Sequence, residues 1–447
     1  VADWLKQISK PPPGRVARSD MEFIQTRTIT REFLALNIGA STAARARELG
    51  FTVSPKLTFD GLGMNLTTLS PPAGMDLVQA RTLMDLLPRA HISPNHLYRP
   101  YRPAKSEREG FGPDRDPTPG QKGCNGVGCY GPDAIGWKPA LSNCSAKVRI
   151  GQIDTLVNLR HPAFRGQDIH VRSFLRGSRP KVASHHGTAT LAILAGAKHS
   201  ATPGLLPDAS YYSGDVFFAD ANGEPIADSV ALLRALDWMS SMQVGIVNMS
   251  IAGPHDPLLQ RSIEKLSAKG MIFVAAAGND GPDGPPLYPA AYSQVIAVTA
   301  VAKNLRSYRK ANRGRHIDLA APGVDIWTAS DRGSGLMTGT SFAVPFATAV
   351  IAASTGGASR GGKSAVLARL KYRDLGPRGM DEIYGRGLLL APHHCGTNKV
   401  LPQTVSAPRD QRPTAEWATR VVRDADVAEI DSERARPAAA AFGFVQN

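Results

Sequence analysis

Hydrophobic and polar residues follow two different patterns along the chain, one before residue 99 and one after residue 146. In the first part, short apolar stretches alternate with amphipathic ones, which predicts the element order β-α-β-β-α-β. The predicted strands are 32–38, 51–59, 62–69 and 90–98, and the predicted helices are 42–50 and 75–87. This order is typical of a ferredoxin-like α+β module.

From residue 147 onward, continuous apolar stretches replace the alternating pattern. The predicted strands are 148–153, 211–218, 245–251, 271–276 and 295–301. Between them lie helical segments; for example, Leu232, Ala235, Leu236 and Met239 fall on one helix face. Strands that are apolar throughout and alternate with helices predict an α/β fold, with a mostly parallel sheet covered by helices on both faces.

Composition divides the rest of the chain. Residues 1–27 are rich in proline and lack periodicity, so we expect a linker or a disordered segment. Residues 104–145 hold three of the four cysteines among many prolines and glycines, which predicts an exposed connector that ends in a disulfide-tied loop. The tail, residues 393–447, is expected to be largely disordered. Two folded units are left, at 28–103 and 146–392.

The formal net charge of +14 over 447 residues raises the question of a nucleic-acid partner. The positive residues are scattered, without a run of five or six, so we expect a basic surface and no nucleic acid. Four cysteines in a loop-rich chain favour disulfides and an oxidising compartment over four unrelated thiols, but their pairing stays open. No apolar run approaches the roughly 20 residues of a membrane-spanning helix.

Four polar residues stand where parallel α/β proteins place their active groups, at strand ends and helix starts. Asp154 ends a strand, His186 precedes a helix, Asn279 ends a strand and Ser341 opens a helix. A serine hydroxyl needs a base to become a nucleophile, histidine can supply it, and a buried carboxylate can orient the imidazole. An asparagine side chain and a backbone N–H at a helix start can stabilise an oxyanion. The set predicts acyl transfer on Ser341.

The local sequences around these residues carry a family resemblance. They read Ile153-Asp154-Thr155, His186-Gly187-Thr188, Ala277-Gly278-Asn279 and Gly339-Thr340-Ser341-x-Ala343-x-Pro345. In this order they resemble the motifs of the subtilisin-like (subtilase) serine proteases, over roughly residues 146–392. The resemblance implies a subtilisin-like fold, an Asp154–His186–Ser341 triad and Asn279 as an oxyanion donor. It also implies two substrate-binding walls, formed by Ser250, Ile251, Ala252 and Gly253 and by Ala276, Ala277 and Gly278.

The chain departs from the family pattern at several positions. Leu156 stands where glycine is common, and Thr190-Leu191-Ala192 stands where Val-Ala-Gly is usual. Phe346 and Thr348, which follow the serine motif, are also unusual. We expect these departures to change local packing and to leave the mechanism intact.

The resemblance also bears on the module at 28–103, which directly precedes the expected catalytic domain. It implies a propeptide that assists folding and inhibits the enzyme until it is cut, with its last strand entering the cleft; a permanent accessory domain is the alternative. Protein or peptide substrates, no cofactor and a secreted or periplasmic location in a bacterium are expected. Relatives often bind calcium, but no Asp-rich loop places calcium ligands in this sequence.

Alternative functions are an inactive subtilase fold that binds peptides, an esterase or amidase on the same scaffold, and, from charge alone, a nucleic-acid-binding protein. A second serine motif, Gly357-Ala358-Ser359-Arg360-Gly361, matches the Gly-x-Ser-x-Gly pattern of α/β-hydrolases. That pattern requires a preceding strand, whereas a predicted helix precedes Ser359. We therefore interpret this segment as a loop that ends a helix.

Overall fold

The computed structural model describes residues 28–87, 91–100, 129–145, 148–330, 333–357 and 361–396. The predicted linker, most of the predicted tail, Cys124 and Ser359 lie outside these ranges. Within them, no helix is long and apolar enough to cross a membrane. The same residues contain no group of three His, Cys, Asp or Glu side chains suited to holding a metal ion.

Residues 28–100 form a small α+β unit, called the N-terminal module below. Its strands are β1 (Thr28–Leu36), β2 (Thr52–Val53), β3 (Leu57–Phe59), β4 (Met64–Ser70) and β5 (His91–Pro100), and its helices are α1 (Ala40–Glu48) and α2 (Leu77–Met84). The strand order is β2-β4-β1-β5, and β3 also pairs with β4. The strand expected at 51–59 is split into β2 and β3 around Pro55, which has no N–H to donate to a ladder.

Both faces of the module sheet are buried. Along β1, Phe33 and Ala35 pack with the helices of the module, and Leu34 and Leu36 pack with the rest of the protein. This alternation follows from the two-residue period of a strand. The module therefore has a core of its own and a second apolar face that the remainder of the chain covers.

Residues 129–396 form a larger α/β unit. Its strands are β6 (Arg149–Asp154), β7 (Ile169–Ser173), β8 (Ser210–Asp215), β9 (Phe217–Ala219), β10 (Pro225–Asp228), β11 (Ile246–Met249), β12 (Ile251–Ala252), β13 (Ile272–Ala276), β14 (Val295–Val301), β15 (Leu319–Pro322), β16 (Ile326–Ala329), β17 (Ser334–Met337), β18 (Lys371–Arg373) and β19 (Leu388–Leu390). Its helices are α3 (Tyr130–Ala134), α4 (His185–Ala195), α5 (Ser229–Ser241), α6 (Pro257–Ala268), α7 (Thr340–Thr355) and α8 (Gly362–Arg369).

The main sheet has nine strands in the order β18-β19-β15-β14-β13-β11-β6-β8-β7. All neighbours are parallel except β18 and β19. Helices α4 and α7 pack on one face, and α5 and α6 pack on the other. On β13, Val274 belongs to the first of these cores and Phe273 to the second. The predicted α/β class, with a parallel sheet between two helical layers, is confirmed.

Residues 129–145 differ from the exposed connector that was expected there. Helix α3 and a 3-10 helix at Pro139–Ser145 place Tyr130, Ile135 and Leu141 in the main core. Cys144 forms a disulfide with Cys395. The α/β unit therefore begins before residue 146, because apolar side chains within this proline- and glycine-rich stretch complete its core. Helix α3 is only five residues long, too short to show a helical period.

Strand β5 belongs to both units. On one side it pairs with β1 of the module. On the other it pairs antiparallel with β10, where Leu97 lies opposite Asp228, and with β12, where Arg99 lies opposite Ala252 and Pro100 opposite Ile251. A single eight-stranded sheet thus extends from the N-terminal module into the α/β unit.

Candidate active site

Asp154 and His186 form a buried pair at the carboxyl edge of the main sheet. Asp154 is the last residue of β6, and His186 lies in the first turn of α4. The distance between Asp154 Oδ1 and His186 Nδ1 is 2.6 Å, and the backbone N–H of Thr155 donates to the same oxygen. Nε2 of His186 has no hydrogen-bond partner among the described residues. The imidazole is therefore held through one nitrogen, and the other is left unengaged.

Thr190 contacts the second oxygen of the same carboxylate. Its hydroxyl lies 2.9 Å from Asp154 Oδ2, one helical turn beyond His186. The sequence departs from the family pattern at Thr190, and we expected an effect on packing alone. The structure differs from that expectation, because the departure adds a hydrogen-bond donor to Asp154. The sequence carried one signal of this contact, because Thr190 is four residues after His186 and residues at that spacing lie on the same face of a helix.

Ser341 is the second residue of α7 and is almost fully buried. In a regular helix its carbonyl would accept from the N–H four residues later, but that residue is Pro345, which has none. The hydroxyl of Ser250 donates to this carbonyl at 3.1 Å, and Asn248 Nδ2 donates to Ser250 Oγ at 3.1 Å. The hydroxyl of Thr348 in turn donates to Asn248 Oδ1. This chain of hydrogen bonds fixes the start of α7.

The structure brings Ser341 into the neighbourhood of the Asp154–His186 pair. The ring of His186 packs against the ring of Phe342, the residue after Ser341, with the centroids 5.5 Å apart. No hydrogen bond joins His186 Nε2 to Ser341 within the described residues. Contacts of this kind are often long without substrate and shorten when it binds.

Asn279 approaches the start of α7 from the end of β13. Its Oδ1 accepts from the backbone N–H and the hydroxyl of Thr340, at 3.0 and 3.2 Å. Gly278, just before it, has a φ of +107°, and a Cβ there would lie 2.5 Å from Leu287. Glycine is required at this turn for its backbone angle and for space. With Oδ1 occupied, the amide Nδ2 of Asn279 has no acceptor among the described residues.

A cavity of about 310 Å³ lies beside Ser341 and Asn279. The predicted wall residues that line it are Ser250, Ile251, Ala252, Gly253, Ala276 and Gly278. Ala277 does not line the cavity and is fully buried. The backbone N–H of Ala277 donates to the carbonyl oxygen of Val298 on β14, so Ala277 is bound to the main sheet and does not face the cavity.

Other residues of the cavity carry no sequence motif. From the α/β unit these are Asp280, Leu287 and Lys310, and from strand β5 they are Leu97, Arg99 and Pro100. Leu287 and Lys310 come from loops that lie outside the motifs, so the pattern of residues gave no signal for them. The entry of the last module strand into the cleft was expected from the family resemblance.

A second carboxylate lies next to Asp154. Asp215, the last residue of β8, is opposite Asp154 in the register of the two parallel strands. It is 4% exposed, and its Oδ1 has no hydrogen-bond partner among the described residues. Burial is the main cause that raises the pKa of Asp215 to about 6; hydrogen bonds from Ser173 and the backbone oppose this rise.

Comparison with known proteins supports one family. The sequence profile of the peptidase S8 Subtilase family matches residues 145–387. The minor extracellular protease Epr of Bacillus subtilis (strain 168) is 34% identical over 210 residues, which are 46% of this chain and 32% of that protein. The major intracellular serine protease of the same strain is 30% identical over 231 residues, covering 48% of this chain and 70% of that protein.

A solved structure resembles a larger part of the chain. Fervidolysin from Fervidobacterium pennivorans, described as a keratinolytic enzyme related to subtilisin, matches 81% of this chain and 60% of its own, with a TM-score of 0.62 and 19% identity. At that identity the similarity shows the fold alone. The aligned region spans only about a third of Epr. The family profile, however, covers more than half of the chain. This protein therefore belongs to the subtilase family.

Proposed function

We propose that this chain is a serine endopeptidase that forms an acyl-enzyme on Ser341 and is made as a self-processing zymogen. The observation that carries the proposal is the buried hydrogen bond between Asp154 and His186, located beside Ser341 at the start of α7. In a subtilase this arrangement supplies a nucleophile, a base and a group that orients the base.

His186 acts as base and then as acid. Asp154 accepts the hydrogen bond from Nδ1, which keeps the proton on that nitrogen and leaves the Nε2 lone pair to accept. Nε2 takes the hydroxyl proton of Ser341 as Oγ attacks the carbonyl carbon of the peptide bond. The same proton then passes to the leaving amine, and water hydrolyses the acyl-enzyme by the reverse sequence. Asp154 stabilises the imidazolium while it exists.

The negative charge on the former carbonyl oxygen needs donors. Nδ2 of Asn279 and the backbone N–H of Ser341 are the two proposed here. Thr340 donates to Oδ1 of Asn279 and thereby fixes the orientation of the Asn279 amide. The Ser341 N–H belongs to the first turn of a 16-residue helix, where backbone N–H groups lack partners within the helix. The helix dipole adds to this stabilisation.

The N-terminal module is proposed as an intramolecular inhibitor. Its strand β5 runs antiparallel along β12, and Leu97, Arg99 and Pro100 line the cavity beside Ser341. A peptide substrate bound as an extended strand would need the same backbone groups of β12. Because β5 occupies the edge of β12, we expect the protein to stay inactive until it is cut after β5 and the module leaves. The first bond that the enzyme cuts then lies in its own connector, the segment that follows β5.

The location proposed is outside the bacterial cytoplasm, in the medium or the periplasm. The disulfide between Cys144 and Cys395 supports it, because such bonds persist in oxidising compartments. Among the relatives, Epr is named as an extracellular protease.

The test compares the full chain with its Ser341→Ala form. The unmodified chain is expected to lose the module, to digest casein and to react with a fluorophosphonate at Ser341. The alanine form is expected to remain intact and inactive with an unchanged fold by circular dichroism, and N-terminal sequencing of the mature chain locates the cut. Casein digestion by the alanine form contradicts the proposal. Ester hydrolysis without casein cleavage would favour an esterase, and no labelling at all would favour a peptide-binding protein.

A further inference from the structure

Arg172, Arg176 and Arg179 lie close enough to Arg234 to lower its pKa; these four residues of the α/β unit are called the arginine cluster below. Asp237 acts on the charge of Arg172, and Asp228 acts on the charges of Arg176 and Arg234. Burial, followed by its arginine neighbours, lowers the pKa of Arg234. Nε of Arg172 and Nε of Arg176 are buried without a hydrogen-bond partner among the described residues. The cluster therefore has two buried N–H donors that the described residues leave unused.

Part of the cluster is held in place without the N-terminal module. Asp228 accepts from Arg176 Nη2 at 3.0 Å and from Arg179 Nη1 at 2.7 Å. Burial opposes the ionisation of Asp228, but the two arginines outweigh it and lower its pKa. The guanidinium of Arg179 also lies over the ring of Phe218, 4.0 Å from its centroid. These contacts all belong to the α/β unit, so both arginines stay ordered when the module leaves.

The module supplies one carboxylate to the cluster. Glu32 Oε2 accepts from Arg176 Nη2 at 2.7 Å and from Asn95 Nδ2 at 2.7 Å. Asn95 lies on β5, two residues before Leu97, which is opposite Asp228 in the sheet. Release of the module removes Glu32 and Asn95 together. Arg176 then faces the upstream end of the cleft with one carboxylate, Asp228, in place of two.

We propose that the arginine cluster binds an acidic side chain of the substrate, at the strand position that Asn95 occupies in the zymogen. This inference rests on the proposed function, since a substrate replaces β5 only after the module has left. The Asn95 amide already lies at hydrogen-bond distance from the carboxylate of Glu32. Glutamate is one methylene longer than asparagine, so at this position its carboxylate reaches the place of Glu32 beside Arg176. The cluster thus selects acidic residues well upstream of the cut.

Two fluorogenic peptides test this site. Both copy the sequence of residues 91–106, with donor and quencher at the ends, and differ only in carrying Glu or Gln at the position of Asn95. The enzyme is the full chain after self-processing, with active sites counted by fluorophosphonate labelling. The Glu peptide is expected to have a kcat/KM about fivefold higher, mostly through KM, because one charge-assisted pair is gained at a partly exposed site. Added salt is expected to reduce the difference.

Matched variants identify the residue responsible. Arg176→Gln is expected to abolish the preference for Glu while the Gln peptide is still cut, since Arg179 continues to neutralise Asp228. Arg315→Gln, which removes a 95% exposed arginine paired with Glu382, is expected to leave the preference unchanged. Equal kcat/KM values for the two peptides, or a preference that survives Arg176→Gln, overturn the inference and leave the proposed function standing. Failure to cut casein and both peptides overturns the proposed function and the inference together.

Discussion

The carboxylate of Asp154 and the imidazole of His186 share a 2.6 Å hydrogen bond, and both side chains are buried. Asp154→Asn is expected to lower kcat by about 10⁴-fold, the loss known for other serine proteases, because an amide favours the wrong histidine tautomer. Steady-state kinetics on a peptide substrate measure it. Thr190→Val removes a donor from the other carboxylate oxygen and keeps the shape, so a much smaller loss is expected. Equal losses in the two variants would contradict the role assigned to Asp154.

Asn279 is expected to act on the transition state and not on substrate binding. Asn279→Ala should lower kcat by about 10²- to 10³-fold with little change in KM, because the donor to the oxyanion is lost. The measurement is kcat and KM on one peptide, with active sites counted by labelling. A rise in KM at constant kcat would show that Asn279 binds the substrate in its ground state.

Asp215 is expected to make stability depend on pH. Its pKa is raised to about 6 in the folded protein, so the protonated form is favoured by folding. The protonated carboxyl of Asp215 contributes to the free energy of unfolding. This contribution is fully present below pH ~4 and is lost as the pH rises through about 6. In a Ser341→Ala background, Asp215→Asn should therefore raise the free energy of unfolding at pH 8, by up to roughly 3 kcal/mol.

Urea unfolding at several pH values tests this expectation for Asp215. The gain from Asp215→Asn should shrink between pH ~6 and ~4 and vanish below the ordinary pKa of an aspartate. A gain that is the same at pH 3.5 and pH 8 would show that the asparagine acts by packing and not by charge.

Contact between the module and α5 is expected to control how long the zymogen stays inactive. A Cβ at Gly61 would lie 2.9 Å from the backbone oxygen of Asp237 and from Ser240 Cβ, so Gly61→Ala forces the surfaces apart. Casein-cleaving activity should then appear sooner after refolding. Gly39→Ala is the control, since no atom lies within 4 Å of a Cβ added there. Unchanged timing in Gly61→Ala would argue against an inhibitory role for the docked module.

Sequence patterns predicted those parts of the fold that depend on neighbours along the chain. The strand expected at 295–301 matches β14, and the apolar face of Leu232 and Leu236 is buried on α5. For a similar reason, the sequence could single out Asp154, His186, Asn279 and Ser341 as candidate site residues. Asp154 ends β6, His186 and Ser341 lie in the first turns of helices, and Asn279 follows β13 by three residues. Each belongs to a short motif, so local sequence was enough to propose it.

The remaining features depend on contacts between distant segments. Cys144 and Cys395 are 251 residues apart in sequence, and four cysteines allow three pairings. Asp215 comes next to Asp154 only because β8 pairs with β6 in the sheet. In the same way, Glu32 meets the arginine cluster across the boundary between module and α/β unit. The patterns of charge and hydropathy along the chain do not indicate which residues of distant segments come into contact.

The position of β5 in the sheet also bears on the order in which the protein is assembled. This strand is complete at Pro100, whereas its partners β10 and β12 are synthesised only after residue 224. Domains near the N-terminus generally fold first during synthesis, and the module has a separate core with Phe33 and Leu69 at its centre. On the zymogen proposal, β5 is already folded when β10 and β12 are synthesised, and its free edge determines where these two strands pair. Removal of the module before synthesis is complete would therefore leave β10 and β12 without the strand on which they form, in addition to removing the inhibitor.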